Sequence, residues 1–343
     1  METKMPKTLP FFLKLTIFLI IFKIIDVSVG GILHYYTYFS KPNMHELMWN
    51  DFYAYEDNSV DVMFLGSSHA RFAFDTDYFD KALEAKTFNL SSSGQTPVVG
   101  YYALKEALKH QKPKVLVYEA YWRLFGTSDN VTPAYFVFDY IKGFDTKAEM
   151  LVNLSIEKNF SSLLFESLFK TYKYREGLAP AVKNVLGGNF RNDAVNVTSN
   201  IAYTDFTYHK NGYFGSEKVA TQNKLFVTNP FKKAGQGFDW NDKQLEYMKK
   251  TIDLCKAQNI KVLMVTAPMP IPTMNFLKDY DKSYTDLNTI AKDMNVKYID
   301  YNMLNRKTHM FTNDMFYDSN HLNEKGTREL DRDLSPEIRK YLY

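Results

Sequence analysis

The sequence contains only one cysteine, Cys255, among 343 residues. A single thiol excludes an intrachain disulfide and any metal or redox site built on a Cys-x-x-Cys pair. The sequence also lacks a Gly-x-Gly-x-x-Gly segment and a P-loop, so it predicts no nucleotide cofactor. Its net charge is only +3, and no dense lysine and arginine run points to nucleic acid. The histidines lack partners at metal-ligand spacing, and we therefore expect neither a metal nor another cofactor.

An apolar segment near the N-terminus, residues 10–33, is long enough to cross a bilayer, for which about 20 apolar residues suffice. Lysines in residues 1–9 precede it and acidic residues follow it, which predicts a cytoplasmic N-terminus and an extracytoplasmic remainder. A cleaved signal peptide is the alternative, but the apolar region exceeds the usual ~7–15 residues and no Ala-x-Ala site follows. We therefore expect an uncleaved signal anchor that makes this a single-pass protein of the cell membrane.

Two charged residues interrupt the middle of this segment. Lys23 and Asp26 lie three residues apart, so they share a face of the expected helix and can form an ion pair. An isolated charge in the middle of a bilayer is costly. Two explanations stay open: the pair docks against a polar groove on a multi-pass membrane partner, or Asp26 lies at the outer headgroups and Lys23 leans toward it.

Beyond a juxtamembrane connection at residues 34–58, short apolar runs alternate with segments of helical spacing. Strands are expected at 60–65, 87–90, 115–118, 260–266 and 296–301, and helices at 98–110, 242–258, 279–294 and 323–342, the last interrupted at Pro336. This alternation predicts one α/β domain over residues 59–343, with a parallel sheet covered by helices on both faces.

Residues 125–240 break this alternation. The stretch is rich in Asn, Phe, Tyr and Lys and shows no clear repeat. Long excursions from a compact α/β core are often functional. We interpret it as an insertion that forms a lid or a substrate-facing subdomain, and a surface insertion without a role is the alternative.

Two segments about 250 residues apart carry the chemistry. Residues 64–71, Phe-Leu-Gly-Ser-Ser-His-Ala-Arg, place Ser68 in a turn directly after an expected strand. Residues 317–326 place Asp318 and His321 three residues apart before the last expected helix. Serine becomes a nucleophile when a base takes its proton and a third group orients that base. The alternative for the second segment is a helix cap beside a surface histidine.

The two segments resemble the SGNH (GDSL-type) hydrolase superfamily over residues 60–124 and 242–340. The resemblance implies a flavodoxin-like three-layer α/β sandwich with a parallel sheet. It implies Ser68, Asp318 and His321 as the catalytic residues, with Ser67 at the position of the family's usual aspartate. Gly94 resembles the second family block, so the backbone N–H groups of Ser68 and Gly94 would form the oxyanion hole.

The resemblance fails at the third block, where the family has an asparagine that donates to the oxyanion. Here the stretch has Glu119 instead, which as a carboxylate would oppose an oxyanion. An ion pair with a neighbouring arginine or a capping role are the alternatives for Glu119. A third donor would then come from another position, such as Gln95.

Three residues near these segments are candidates for substrate binding. They are His69, Arg71 and Gln95. For His69 the alternative is a structural hydrogen bond, and for Arg71 it is an ion pair with a neighbouring carboxylate.

The Gly-Ser-Ser variant and the N-terminal anchor together resemble the extracytoplasmic members of the superfamily that work with a membrane-bound O-acyltransferase. The D-alanyl-lipoteichoic acid transfer and alginate O-acetylation proteins are examples. This implies transfer of an acyl group, often acetyl, from Ser68 to a cell-surface polysaccharide or related polymer. A carbohydrate or lipid esterase with the same triad, and a non-catalytic glycan-binding scaffold, are the alternatives.

Overall fold

A computed structural model describes residues 8–37, 43–126, 131–154, 160–188, 200–234 and 239–343. The chain divides into two compact units. The first unit comprises Met1–Asn43 and Glu157–Val195, and the second comprises Met44–Ile156 and Asn196–Tyr343. Residues 1–7 of the expected cytoplasmic segment lie outside the described residues.

All strands in the described ranges belong to the second unit. They are β1 (Val62–Leu65), β2 (Thr87–Asn89), β3 (Val115–Glu119), β4 (Ile201–Ala202), β5 (Thr207–Tyr208), β6 (Phe214–Gly215), β7 (Lys261–Thr266) and β8 (Lys297–Asp300). The first three and the last two form one parallel sheet, and β4, β5 and β6 form a small antiparallel sheet.

The helices are distributed over both units. They are α1 (Thr8–Thr37), α2 (Met44–Ala54), α3 (Ser68–Ala73), α4 (Thr76–Leu83), α5 (Pro97–Ala107), α6 (Val131–Phe138), α7 (Phe144–Asn153), α8 (Phe160–Leu168), α9 (Lys170–Lys173), α10 (Leu178–Leu186), α11 (Phe231–Ala234), α12 (Asp242–Ala257), α13 (Ile271–Met274), α14 (Tyr280–Asp293), α15 (Tyr301–Thr308) and α16 (Glu324–Leu342). Of these, α1, α8, α9 and α10 lie in the first unit.

The parallel sheet has the strand order β2-β1-β3-β7-β8, which counted over these five strands is 2-1-3-4-5. This is the flavodoxin-like order of doubly wound folds. It confirms the predicted three-layer α/β sandwich. In such sheets the chain turns to opposite sides after the first strand, and ligands bind at the carboxyl ends of the strands beside that switch point. Here the switch point lies between β1 and β3.

Alternating residues of the central strands face the two helical layers, because side chains along a strand point to opposite faces. Val62, Phe64 and Val117 pack in one core cluster with residues of α3, α4 and α16. On the other face, Leu65 lies beside Gly100 of α5, and α5 packs against α12. Both faces of the sheet are therefore buried, which explains why its strands read as continuous apolar runs.

One helix boundary differs from the sequence expectation. The interruption predicted at Pro336 was wrong, because α16 runs through this residue to Leu342. A proline lacks the N–H that would donate to the carbonyl four residues earlier. Here the Ser335 hydroxyl donates to that carbonyl, on Arg332, at 3.4 Å. The local side chain thus satisfies the group that the proline leaves open.

The two regions outside the predicted α/β alternation are also helical in part. Within the expected connection at residues 34–58, α1 continues to Thr37 and α2 follows as a helix of the second unit. The expected insertion at 125–240 is divided, since Glu157–Val195 belongs to the first unit and its flanks belong to the second. The stretch Pro10–Thr37 of α1 is long and apolar enough to cross a membrane.

Candidate active site

Ser68 is the first residue of α3 and follows β1 after a two-residue turn. The Ser67 hydroxyl caps the helix by accepting from the His69 N–H at 3.2 Å. Gly66 fits this turn because a Cβ there would lie only 2.6 Å from the Cβ of Glu119. The turn therefore places Ser68 at the carboxyl end of the sheet, at the switch point between β1 and β3.

Asp318 and His321 are held in a short loop closed by an antiparallel bridge between Phe316 and Leu322. Oδ1 of Asp318 accepts from the backbone N–H groups of Asn320 and His321, each at 2.8 Å. These two bonds fix the carboxylate in one orientation. The second oxygen is then left to face the imidazole.

The structure brings the three predicted catalytic side chains together. Nδ1 of His321 lies 2.9 Å from Oδ2 of Asp318, and Nε2 lies 2.8 Å from Oγ of Ser68. Because the carboxylate can only accept, Nδ1 carries the proton and the Nε2 lone pair faces the Ser68 hydroxyl. Burial opposes the charge on Asp318, but His321 and the two backbone N–H groups outweigh it and hold the pKa of the carboxyl well below its usual range. Ser68 itself is partly exposed and can be reached by a substrate.

Glu119 lies directly behind the nucleophile turn. Its Oε2 accepts from the Ser67 N–H at 3.3 Å and from the Ser67 hydroxyl at 3.1 Å. Its Oε1 is buried and has no hydrogen-bond partner within the described part of the chain. Burial raises the pKa of Glu119 to about 8, against which the two hydrogen bonds from Ser67 act. Near neutral pH the side chain is therefore mostly a neutral acid, which removes the charge that would oppose an oxyanion.

Gly94, the second predicted oxyanion residue, lies in a turn between β2 and α5. Its φ is +63°, in the left-handed region that favours glycine. The neighbouring Ser93 hydroxyl accepts from Nη1 of Arg71 at 2.7 Å, which ties this turn to α3. Gly94 thus stands outside every described helix and strand, and its role in an oxyanion hole stays a prediction.

The three predicted substrate-binding residues are all buried beside this site. His69 stacks on Tyr121 with ring centroids 3.8 Å apart, and burial holds the pKa of its imidazole well below the usual range. Oε1 of Gln95 accepts from the Ser92 hydroxyl at 2.8 Å. Nε2 of His69 also lies 3.1 Å from the side-chain amide of Asn320, a hydrogen bond of the structural kind given as the alternative for this residue. The roles of His69 and Gln95 in substrate binding stay predictions.

Arg71 is only 2% exposed, and its partners are neutral. Besides Ser93, it contacts Nε2 of His45 at 3.2 Å, and its guanidinium lies 3.8 Å over the ring of Phe214. Burial lowers the pKa of the guanidinium to about 10, which still leaves it charged near neutral pH. Among the described residues Arg71 forms none of the carboxylate ion pairs given as the alternative, and its role in substrate binding stays a prediction.

Aromatic residues that the sequence reasoning missed enclose His321. Tyr317 stacks on the imidazole at 5.5 Å, and Phe72 lies 5.3 Å from it. Asn320 lies beside these residues, with its side-chain amide 3.1 Å from Nε2 of His69. Helical spacing could have indicated Phe72, which lies one turn after Ser68 on α3. Tyr317 and Asn320 flank residues already identified.

The family model for DUF1574, described as a protein of unknown function, matches residues 5–335. The chain belongs to this family. Among solved structures, it is similar to one titled "a putative acylhydrolase" from Bacteroides fragilis, with 12% identity, a TM-score of 0.41, and coverage of 86% of this chain and 94% of that one. No curated protein matches the sequence.

Proposed function

We propose that this DUF1574 member carries out serine-dependent acyl chemistry, with Ser68 as nucleophile, His321 as general base and Asp318 as the residue that orients the base. The observation that carries this proposal is the continuous set of contacts from Oδ2 of Asp318 through both nitrogens of His321 to Oγ of Ser68. A neutral imidazole nitrogen facing a serine hydroxyl is the arrangement that general-base activation needs.

In the first step, Oγ of Ser68 attacks the acyl carbonyl carbon while its proton moves to Nε2 of His321. The bond to the donor's leaving group then breaks, and His321 returns the proton to that group. In the second step, a hydroxyl attacks the acyl carbon of the acyl-enzyme and gives its proton to Nε2 of His321. The bond from the acyl carbon to Oγ of Ser68 then breaks, and His321 returns the proton to Oγ. Asp318 keeps Nδ1 protonated throughout and stabilises the imidazolium. The oxyanion would be bound by the backbone N–H groups of Ser68 and Gly94.

For the acceptor, we propose a hydroxyl of a cell-surface polysaccharide or related polymer, with acetyl as the transferred group. The resemblance to extracytoplasmic acyl-transfer proteins supports this, as does α1 with its membrane-crossing length. The proposed topology is a single-pass anchor with the N-terminus in the cytoplasm. A multi-pass membrane O-acyltransferase is proposed as the partner that supplies the acyl group. Lys23 and Asp26 lend no support to that partner, because both are bonded to residues 168–171 of their own chain.

A fluorophosphonate probe and p-nitrophenyl acetate test the nucleophile on the full-length protein. The probe should attach to Ser68, and Ser68→Ala should lose labelling and at least about 10³-fold in ester turnover. Ser67→Ala is the matched control, because Ser67 only caps α3 and this variant should still be labelled at Ser68. Labelling of Ser67, or an active Ser68→Ala enzyme, would overturn the assignment.

The amounts of polymer-bound and free acetate distinguish acyl transfer from hydrolysis. Membranes that contain the protein and its surface polymer should convert an acetyl donor into polymer-bound acetate, and Ser68→Ala membranes should not. Free acetate alone, at the same total turnover, would instead assign the protein as an esterase.

A further inference from the structure

Two short helices of the first unit, α9 and α10, pack against α1, and α8 packs against α9 and reaches α1 at its last residue, Leu168. Rings of Phe22 and Phe169 meet at 6.2 Å, and Leu33, Tyr36 and Ala181 share a small buried cluster. The segment 160–186 therefore follows the helix that we propose spans the membrane. The inference below rests on that proposed anchoring.

Helical structure is interrupted between α8 and α9, and the charged pair of α1, Lys23 and Asp26, lies beside this break. Oδ2 and Oδ1 of Asp26 accept from the backbone N–H groups of Lys170 at 3.0 Å and Thr171 at 2.9 Å. Lys23 pairs with Asp26 at 3.1 Å and donates to the carbonyl of Leu168. The two side chains thus satisfy backbone groups that the end of one helix and the start of the next leave open.

The depth of this break follows from the length of α1. The apolar stretch Pro10–Thr37 has 28 residues. About 20 of them fill the hydrocarbon core, and any such window, from 10–29 to 18–37, contains residues 18–29. Lys23 and Asp26 therefore lie inside the hydrocarbon region in every placement, and so does the backbone bonded to them. Irregular backbone at that depth is tolerated only when protein groups satisfy it.

Glycines allow the close approach of these elements. A Cβ on Gly30 would lie 2.5 Å from the Cβ of Lys170, and one on Gly177 would lie 2.3 Å from the carbonyl oxygen of Leu33. Small residues at such contacts are typical of helices packed within membranes. The neighbouring Gly31 faces open space, with nothing within 4 Å of an added Cβ.

Several apolar side chains of α8 and α10 are exposed among the described positions. Leu168 is 51% and Leu186 is 83% exposed, and Phe165, Leu178, Val182 and Val185 are exposed as well. Four charged residues of the segment are also exposed: Lys170, Arg175, Glu176 and Lys183. Arg175 and Glu176 directly precede Gly177, which lies against Leu33 near the C-terminal end of α1, and long lysine side chains can extend to the headgroups from deeper positions. Leu168 lies at the depth of Lys23, which donates to its carbonyl, so hydrocarbon suits the exposed side chains at this end of α8. The α10 helix packs nearer the C-terminal end of α1, where Ala181 meets Leu33 and Tyr36.

We infer that residues 160–186 form a re-entrant element, which enters the bilayer on the side where the C-terminal end of α1 emerges and returns there. The acyl chains of the same bilayer cover the exposed apolar side chains of α8, and α10 returns beside Leu33 and Tyr36 at the C-terminal end of α1. Lys23 and Asp26 are the polar groups that let the chain reverse inside the hydrocarbon region. In this arrangement Lys23 and Asp26 bind backbone groups of their own chain rather than a membrane partner.

Fluorescence quenching in vesicles tests this arrangement. A nitrobenzoxadiazole label is placed on Leu168→Cys, on Ile20→Cys of α1, and on Val227→Cys, an exposed apolar position of the second unit. The proteins are reconstituted into phosphatidylcholine vesicles with nitroxide-labelled acyl chains. Wild type gives the background, because Cys255 is buried and burial raises the pKa of its thiol to about 12. We expect loss of fluorescence at Leu168 comparable with that at Ile20, and no loss at Val227.

Quenching at Ile20 without quenching at Leu168 would overturn the inference and leave the anchor intact. Absence of quenching at both positions would overturn the anchor and the re-entrant element together. A matched pair of α1 variants tests the packing. Gly30→Leu should abolish quenching at Leu168 while leaving it at Ile20, and Gly31→Leu should change neither. Equal behaviour of the two glycine variants would show that α9 is not held against α1.

Discussion

Oε2 of Glu119 accepts two hydrogen bonds from Ser67, one from its backbone N–H and one from its hydroxyl. Glu119 ends β3 and Ser67 precedes the proposed nucleophile, so this contact joins the two strands at the switch point of the sheet. A buried carboxyl costs least when it is neutral. The position where the resemblance seen in the sequence would place an asparagine is thus occupied by an uncharged acid that contacts the turn before Ser68.

Replacing Glu119 by glutamine should remove one pH-dependent contribution to stability. The pKa of Glu119 is raised to about 8 by burial, so between its usual value and about 8 the folded state keeps a proton that the unfolded state releases. Wild type should therefore lose stability relative to Glu119→Gln as the pH rises through this window, by up to about 1.4 kcal/mol per pH unit. Urea unfolding followed from pH 5 to 9 measures the difference.

The control for this prediction is Glu217→Gln, because Glu217 is exposed and its substitution should leave the pH profile of stability unchanged. If Glu119→Gln and wild type give parallel stability profiles from pH 5 to 9, Glu119 is ionised in the folded protein and the neutral-acid interpretation fails.

Asp318→Asn should impair catalysis while leaving the fold intact. An amide can donate to Nδ1 of His321, which puts the imidazole proton on Nε2 and removes the lone pair that faces Ser68. Turnover of p-nitrophenyl acetate should fall by about 10³–10⁴-fold in kcat, with little change in KM. Asp314→Asn is the matched control, since Asp314 is an exposed acid of the same segment paired with Lys325. Equal activity of the two variants would contradict the triad.

Gly94→Ala should reduce kcat by about tenfold or more, because a side chain there strains the left-handed turn next to the proposed oxyanion hole. The added Cβ would also lie 3.2 Å from Cγ of Pro133. Gly188→Ala is the control: its φ of +67° imposes the same strain, but its Cβ would meet nothing within 4 Å. Steady-state kinetics of both variants separate an effect on catalysis from backbone strain alone. If both variants keep full activity, Gly94 takes no part in the oxyanion hole.

The sheet could be predicted from the sequence because both of its faces are buried, which leaves β1, β3 and β7 as unbroken apolar runs between helices of clear spacing. Asp318 and His321 could be placed together because they are three residues apart. Their distance to Ser68 depends on the order of the strands, and a motif alone does not give it. The division of the insertion could not be foreseen, since it depends on contacts between Asp26 and residues about 144 positions later.

The role of Arg71 can be tested, because a buried residue that positions a turn and a residue that binds substrate respond differently to substitution. At 2% exposure its guanidinium is bonded to Ser93 and His45, and Ser93 precedes Gly94. We therefore expect it to position the Ser93 turn rather than to bind an anionic substrate. Arg71→Met keeps much of the packing over Phe214 but removes every hydrogen bond that the guanidinium donates. It should lower the unfolding midpoint, and it should reduce kcat by the same factor for a neutral and an anionic acetyl ester.

The ratio of kcat/KM for the two esters decides between these roles. A residue that acts only through the Ser93 turn changes both values together and leaves the ratio at the wild-type value. A residue that binds the anion changes the ratio, since only the anionic ester loses a charge contact. Ser93→Ala is the matched control, because it removes the Arg71 contact but keeps the positive charge. Ser93→Ala should lose part of the kcat that Arg71→Met loses. Its ratio of kcat/KM for the two esters should equal that of wild type. A selective loss of the anionic ester in Arg71→Met alone would instead make Arg71 a substrate-binding residue.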